Sequence, residues 1–204
     1  MFQTDWDELI DQTQLKKRLA KGETEAFVEL YDWLGDGINR YLASRLNPTD
    51  CQDVLQEVFA RLVRYHLRLG KAKNLTAYVF LVARNESNRW LSSQKKPLAK
   101  SITSMVEFKS GHADFDIADN NRPSEQFENR DLARRLLEEL GHEDREVVLL
   151  KIYSGLTFEE VAKILGMPAA TAATKYRRAI KKLKDEFEDD SHEPSPNKRG
   201  AETQ

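Results

Sequence analysis

The sequence predicts an all-α protein in which two small helical domains are joined by a flexible linker, the C-terminal one containing a helix-turn-helix. Glycine and proline, the strongest helix breakers, total only 15 of 204 residues. Apolar residues recur at steps of three and four, which is the period of one buried helix face. Residues 93–126 hold two prolines and show no sustained period, so they separate two helical blocks.

Composition limits the classes of protein to consider. Charged residues make up 32% of the chain, and no uncharged run approaches the roughly 18 apolar residues that a membrane span needs. The N-terminal segment MFQTDWDELIDQ carries acidic residues where a secretion signal needs a basic start. We therefore expect a cytoplasmic chain that does not insert into membranes. The single cysteine, Cys51, excludes an internal disulfide framework and a multi-cysteine zinc site.

The first block is expected to form four helices. They are predicted at about 1–21, between the apolar positions Phe27 and Leu46, at about 50–66 and at about 74–92. Gly35 and Gly37 lie inside the second helix and cost about 1 kcal/mol each relative to alanine, so a kink or break is expected there. Asn47 is a candidate N-cap for the third helix, with Pro48 at its first position.

The segment from Thr157 to Lys184 carries the clearest functional pattern. Thr157 and Glu160 have the spacing of a capping box, which starts a helix. Gly166 is a candidate for the left-handed residue that ends this helix. Pro168 suits the first turn of a following helix. Two helices joined by a short glycine-containing turn form a helix-turn-helix.

The second helix of this motif is basic, although the net charge of the chain is −2. It carries six basic residues and no acid between Pro168 and Lys184, and six acids follow from Asp185 to Glu193. Short hydroxyls reach base edges, and basic side chains reach guanine edges or phosphates. A solvated basic helix is the alternative, but the capped helix and turn in front favour DNA recognition. The predicted DNA-binding residues are Thr171, Thr174, Lys175, Arg177, Arg178, Lys181 and Lys182.

A continuous polar stripe of mixed charge lies on the helix predicted at 50–66. Its residues are Asp53, Gln56, Glu57 and Arg61. From the pattern alone, an ordinary solvent-exposed helix face is the simplest interpretation.

The order of motifs along the chain closely resembles the extracytoplasmic-function (ECF) group of the sigma-70 family of RNA polymerase sigma factors. The motifs are GETEAFVELY from Gly22, DVLQEVFAR from Asp53, ARN from Ala83, and then the helix-turn-helix. The resemblance covers about residues 22–96 and 127–187.

The resemblance implies a subunit that recognises promoters and has no enzymatic activity or cofactor of its own. Residues 1–96 would form region 2, whose polar stripe binds the clamp coiled coil of the polymerase β′ subunit. Residues 127–187 would form region 4, which reads a minus-35-like element and lies at the β flap. Residues 97–126 would be the linker, and residues 188–204 a disordered tail. The minus-10-like element would be bound and opened by Asn74, Tyr78, Arg84, Asn85, Asn88, Arg89 and Trp90.

Some residues depart from the usual pattern of the family, and some have an alternative role. Arg89 and Ser92 occupy positions where members usually carry Asp and Arg, and Ala173 replaces a usual lysine. Core packing is the alternative role for Tyr78 and Trp90. Members of the group are often held by an anti-sigma factor, so an anti-sigma partner is a further expectation.

Two other functions remain open at the level of sequence. One is a helix-turn-helix regulator that acts by itself, with the first block as a dimerisation or effector module. The other is a helical nucleic-acid enzyme that uses the scattered carboxylates. The four histidines are far apart and match no metal-ligand spacing, so no metal site and no catalytic residue are predicted.

Overall fold

The computed structural model describes residues 11–94, 135–137 and 139–190, which form helices and short connections without a strand. The all-α prediction is therefore confirmed. No helix in this part of the chain is long and apolar enough to cross a membrane. The predicted linker at 97–126 lies outside the described residues. The helices are α1 (Gln12–Lys21), α2 (Thr24–Ala43), α3 (Pro48–Arg64), α4 (His66–Lys71), α5 (Leu75–Gln94), α6 (His142–Ser154), α7 (Phe158–Leu165) and α8 (Ala169–Asp190).

The predicted start of α3 is confirmed. Asn47 Oδ1 accepts a hydrogen bond from the backbone N–H of Asp50 at 2.8 Å, and Pro48 is the first helical residue. At the other end of the chain, α8 continues to Asp190, so residues 188–190 of the predicted disordered tail are helical. Residues 191–204 lie outside the described part of the chain.

The expected break at Gly35 and Gly37 is absent, because α2 runs without interruption from Thr24 to Ala43. Gly35 is buried, and a Cβ built on it would lie 3.4 Å from the ring of Tyr31. Apolar residues on both sides of the glycine pair, such as Leu34 and Ile38, are fully buried. Burial of such a face contributes more than the roughly 1 kcal/mol that each glycine costs.

Helix α4 occupies residues 66–71, between the helices predicted at about 50–66 and at about 74–92. It packs against α1 at close range. A Cβ built on Gly70 would lie 2.5 Å from the Cβ of Ala20, and His66 Nδ1 lies 3.0 Å from the Ala20 carbonyl oxygen. Six residues are too few to show a helical period, so this element follows from tertiary packing.

The two blocks share one apolar core. Buried residues of α6 and α7, such as Leu150 and Val161, belong to the same cluster as Ile38 and Phe80 of the first block. Helix α6 contacts both α2 and α5, and α7 contacts α5. Blocks of this size bury limited apolar surface alone, so packing them together increases the buried fraction.

Candidate nucleic-acid and polymerase interfaces

The helix-turn-helix forms as its local chemistry predicts. Thr157 Oγ1 accepts a hydrogen bond from the backbone N–H of Glu160 at 3.3 Å, and Glu160 Oε2 accepts one from the Thr157 N–H at 2.9 Å. Gly166 ends α7 in the left-handed conformation, with φ 71°. The N–H of Met167 then donates to the Ala162 carbonyl at 3.0 Å. These bonds fix the turn between α7 and α8.

Helix α8 presents most of its predicted DNA-binding residues to solvent. Its buried positions, Ala172 and Ala179, lie against α6 and α7 and set the orientation of the helix. Lys175 is the exception among the predicted residues, because its side chain is only 20% exposed. Its ammonium group lies 2.9 Å from Glu143 and 3.3 Å from Asp144. The exposed predicted residues are Thr171, Thr174, Arg177, Arg178, Lys181 and Lys182.

A carboxylate of α6 fixes one of these basic side chains. Asp144 Oδ2 accepts hydrogen bonds from Arg178 Nη2 at 2.5 Å and from Nε at 3.1 Å, while the Arg178 side chain stays 67% exposed. Burial raises the pKa of Asp144, but the hydrogen bonds from Arg178 and Lys175 outweigh it, so the pKa is lowered. Asp144 gave no signal in the sequence, since it lies on a different helix from its partners.

The predicted polymerase-binding stripe lies along one side of α3. Asp53 and Gln56 are exposed, and Glu57 and Arg61 are half-buried beside them. Arg61 Nε lies 3.0 Å from a carboxylate oxygen of Glu86, which is buried in α5. The stripe is therefore available to a partner, and at Arg61 it is joined to α5 by an ion pair.

The predicted minus-10 residues, which lie on α5 and at the residue before it, fall into three groups. Asn85 and Arg89 are exposed. Tyr78 and Trp90 are partly buried and pack against the core, which matches the structural alternative for both. The remaining three residues, Asn74, Arg84 and Asn88, make polar contacts described below.

Arg84 and Asn88 belong to a polar cluster between the two blocks. Glu146 of α6 forms ion pairs with Arg45 and with Arg84, whose Nε lies 3.0 Å from Glu146 Oε2. Arg45 also donates to the Tyr41 hydroxyl at 2.8 Å and to Asn88 Oδ1 at 2.5 Å. Arg45 and Glu146 were not among the residues predicted from the sequence. Arg45 lies four residues after the buried Tyr41, in the turn that follows α2.

Asn74 makes two contacts that a DNA-binding role does not require. Its Oδ1 accepts from the N–H of Ala77 at 2.9 Å, as an N-cap does at the start of α5. Its Nδ2 donates to Glu160 Oε1 at 2.6 Å, which connects α5 to the capping box of α7. Asn74 therefore stabilises both the helix start and the contact between blocks.

Within the described ranges, no group of three or more His, Cys, Asp or Glu side chains could hold a metal ion.

Comparison with known proteins shows what the chain is similar to. Residues 130–183 match the model of sigma-70, region 4. Over 180 residues the chain is 27% identical to the ECF RNA polymerase sigma-E factor of Escherichia coli (strain K12), which covers 85% of this chain and 92% of that protein. Over most of its length, the chain is therefore similar to ECF-group sigma factors of the sigma-70 family. It is also 29% identical over 172 residues to the RNA polymerase sigma-E factor of Streptomyces avermitilis, covering 83% and 89% of the two chains.

Two solved structures share the fold of this chain. CnrH, determined in complex with the cytosolic domain of CnrY, superposes with a TM-score of 0.64 at 21% identity, covering 88% of this chain and 98% of that chain. The sigma factor RpoE, determined with the anti-sigma factor NepR from Bartonella quintana, gives a TM-score of 0.58 at 17% identity, with coverages of 81% and 98%.

Proposed function

We propose that this chain binds core RNA polymerase, recognises minus-35-like and minus-10-like promoter elements, and promotes initiation of DNA-templated transcription. The observation that carries this function is the capped helix-turn-helix with its exposed basic helix, in a chain whose relatives are ECF sigma factors. Phosphodiester chemistry belongs to the polymerase, and this chain contributes placement and opening of the DNA. It acts where polymerase and promoter DNA meet, in the cytoplasm.

Helix α8 reads the minus-35-like element. Thr171 and Thr174 lie in its first two turns, where a recognition helix contacts base edges in the major groove. Arg177, Arg178 and Lys181 follow on the exposed surface and supply phosphate contacts, which give affinity and register without reading sequence.

Helix α5 binds the minus-10-like element. The exposed Asn85 supplies an amide that can pair with base edges, and the exposed Arg89 supplies a cation for the backbone. Tyr78 and Trp90 would each add about 1–3 kcal/mol per stacked base if they were free. Because both rings pack against the core, amide and cation contacts carry the binding by this helix.

The stripe on α3 docks on the β′ clamp coiled coil. Its polar and charged groups, Asp53, Gln56, Glu57 and Arg61, lie on the side of α3 opposite to the buried Val54 and Val58. The second block, residues 127–187, would bind the β flap. An anti-sigma factor is a further proposed partner, since the structural neighbour RpoE was solved with one.

Polymerase pull-down combined with in vitro transcription tests this function. Purified chain, core enzyme and a genome-wide template pool should give a stable assembly and RNA with discrete start sites. Gln56→Ala combined with Glu57→Arg should weaken polymerase binding about tenfold or more, because a residue central to an interface is worth over about 1–2 kcal/mol. The matched control, Gln14→Ala with Glu25→Arg, makes the same changes at exposed positions elsewhere.

Three outcomes would contradict parts of the proposal. Unchanged pull-down by the Gln56→Ala, Glu57→Arg variant would refute the docking stripe. DNA binding without any polymerase assembly would favour the regulator that acts by itself. Absence of both assembly and discrete starts would refute the function as a whole.

A further inference from the structure

We propose that Arg45 and Arg84 form an anion site that Glu146 occupies when the two blocks are packed together, and that a phosphate of promoter DNA occupies when they separate. Glu146 is then a built-in competitor of the DNA. This inference rests on the proposed function, because it takes DNA as the second ligand of the site.

The cluster of Arg45, Arg84 and Glu146 is largely buried, so the Glu146 carboxylate compensates the two positive charges in place of solvent. The side chains of Arg45 and Glu146 are each 5% exposed, and that of Arg84 is 22% exposed. Two guanidinium groups so close together with little solvent need an anion between them, since an uncompensated buried charge is strongly destabilising. Glu146 supplies that anion from the other block.

The site is organised by the first block alone. The Arg45 guanidinium is held by the Tyr41 hydroxyl at 2.8 Å and by Asn88 Oδ1 at 2.5 Å, and its ring contact with Tyr41 places Cζ 5.2 Å from the ring centroid. None of these groups comes from α6. Arg45 Nε is buried without a hydrogen-bond partner, so the guanidinium has a donor to spare. The position of the Arg45 guanidinium therefore does not depend on Glu146.

A phosphate is the anion that such a site would accept next. Guanidinium groups bind carboxylates and phosphates through the same planar, charge-assisted hydrogen bonds. Arg84 lies on α5, one residue before the exposed Asn85, so the site adjoins the surface proposed to bind the minus-10-like element. If a DNA strand binds along α5, its phosphate backbone passes over the position that Glu146 occupies when the blocks are packed together.

A second carboxylate repeats the arrangement nearby. Glu160 of α7 accepts from Asn74 Nδ2 at 2.6 Å, at the start of α5. Glu146 and Glu160 of the helix-turn-helix block therefore bind polar groups on α5 or beside it in the other block. Because the acids and the DNA use the same groups, packing of the blocks and binding of DNA to α5 exclude one another.

Fluorescence anisotropy with the full chain tests the competition. The probes are a labelled single-stranded oligonucleotide and the same oligonucleotide as a duplex, at low salt and without polymerase. Glu146→Gln should bind the single strand about five- to tenfold more tightly than wild type, the size of a modest coupling between two sites. Its salt dependence should steepen by about 0.7, the slope for one added phosphate contact with a single strand.

Two further variants separate competition from a general charge effect. Glu159→Gln removes one negative charge at an exposed position of the same block, and should bind DNA like wild type. Glu146→Gln combined with Arg84→Ala should lose the gain, because one of the two phosphate ligands is gone. Arg84 is used because it is less buried than Arg45, and circular dichroism verifies that each variant is folded.

The outcomes distinguish this inference from the proposed function. If Glu146→Gln binds DNA like Glu159→Gln, or keeps its gain after Arg84→Ala, the competition is refuted even when the chain initiates transcription. If Glu146→Gln binds DNA more tightly, this increase depends on Arg84, and no assembly with polymerase forms, the anion site is supported and the proposed sigma function is refuted.

Discussion

The capping box at the start of α7 allows one residue to be tested with a magnitude taken from the structure. Thr157→Ala removes the hydroxyl that accepts the Glu160 N–H at 3.3 Å and donates to Glu160 Oε2 at 2.9 Å. The bond from the Thr157 N–H to the same carboxylate, at 2.9 Å, remains. Loss of a threonine N-cap costs about 1 kcal/mol, within a range of about 0.5–2 kcal/mol. For a chain of this size, that lowers Tm by about 2–4 °C.

Thermal unfolding followed by far-UV circular dichroism measures this shift. Thr157→Ser keeps the hydroxyl and should restore most of the stability. Thr174→Ala is the matched control, because Thr174 is exposed within α8, where alanine favours the helix by a few tenths of a kcal/mol. Stabilisation by the Thr157 cap is refuted if Thr157→Ala melts at the same temperature as Thr174→Ala, or if Thr157→Ser is as unstable as Thr157→Ala.

Three other predictions follow from single contacts. Arg178→Ala should lower promoter affinity and reduce the slope of log affinity against log salt concentration by about 0.9, the value for one lost phosphate contact. Arg64→Ala, at another exposed position, should leave this slope unchanged. DNA-binding titrations at several salt concentrations measure both slopes. Gly70→Ala should cost about 1–3 kcal/mol in urea unfolding, because its Cβ would lie 2.5 Å from that of Ala20, while Gly35→Ala should be neutral or stabilising. The pKa of Asp144 is lowered in the folded chain, so its stabilisation is present above an unfolded pKa of about 3.9 and is lost as pH falls through the folded value. Tm measured from neutral pH downward should therefore fall less steeply below about pH 4 in Asp144→Asn, and an identical slope would count against the ion pair.

Much of the local structure was predictable from the sequence. The Asn47 cap, the Thr157 capping box and the glycine turn at Gly166 were all found where the residues indicated. Each depends on atoms within a few positions of one another, so residue type and spacing are sufficient. The prediction of a break in α2 was wrong because the outcome depended on residues that are distant in sequence. Glycine propensity is a local term, and burial against other helices outweighed it.

The polar contacts between elements were not predictable. The ion pairs of Glu86 with Arg61, Asp144 with Arg178, and Glu146 with Arg45 each join residues from different parts of the fold. Such a pair leaves no period in the sequence, and each residue alone resembles any surface charge. The family resemblance accordingly predicted Arg84 and Asn88 as DNA-binding residues, without indicating that a carboxylate of the second block lies against the same cluster.

By itself, the sequence determined most of the helical segments, where the recognition helix begins, and which motifs resemble those of the sigma-70 family. These properties are encoded in side-chain period, caps and short motifs. The tertiary structure alone decided which basic side chains are free, which are held by carboxylates, and that the two blocks share one core. The physical reason is that charge compensation and burial depend on distance in space, and residues far apart in the chain acquire their neighbours only when the helices pack.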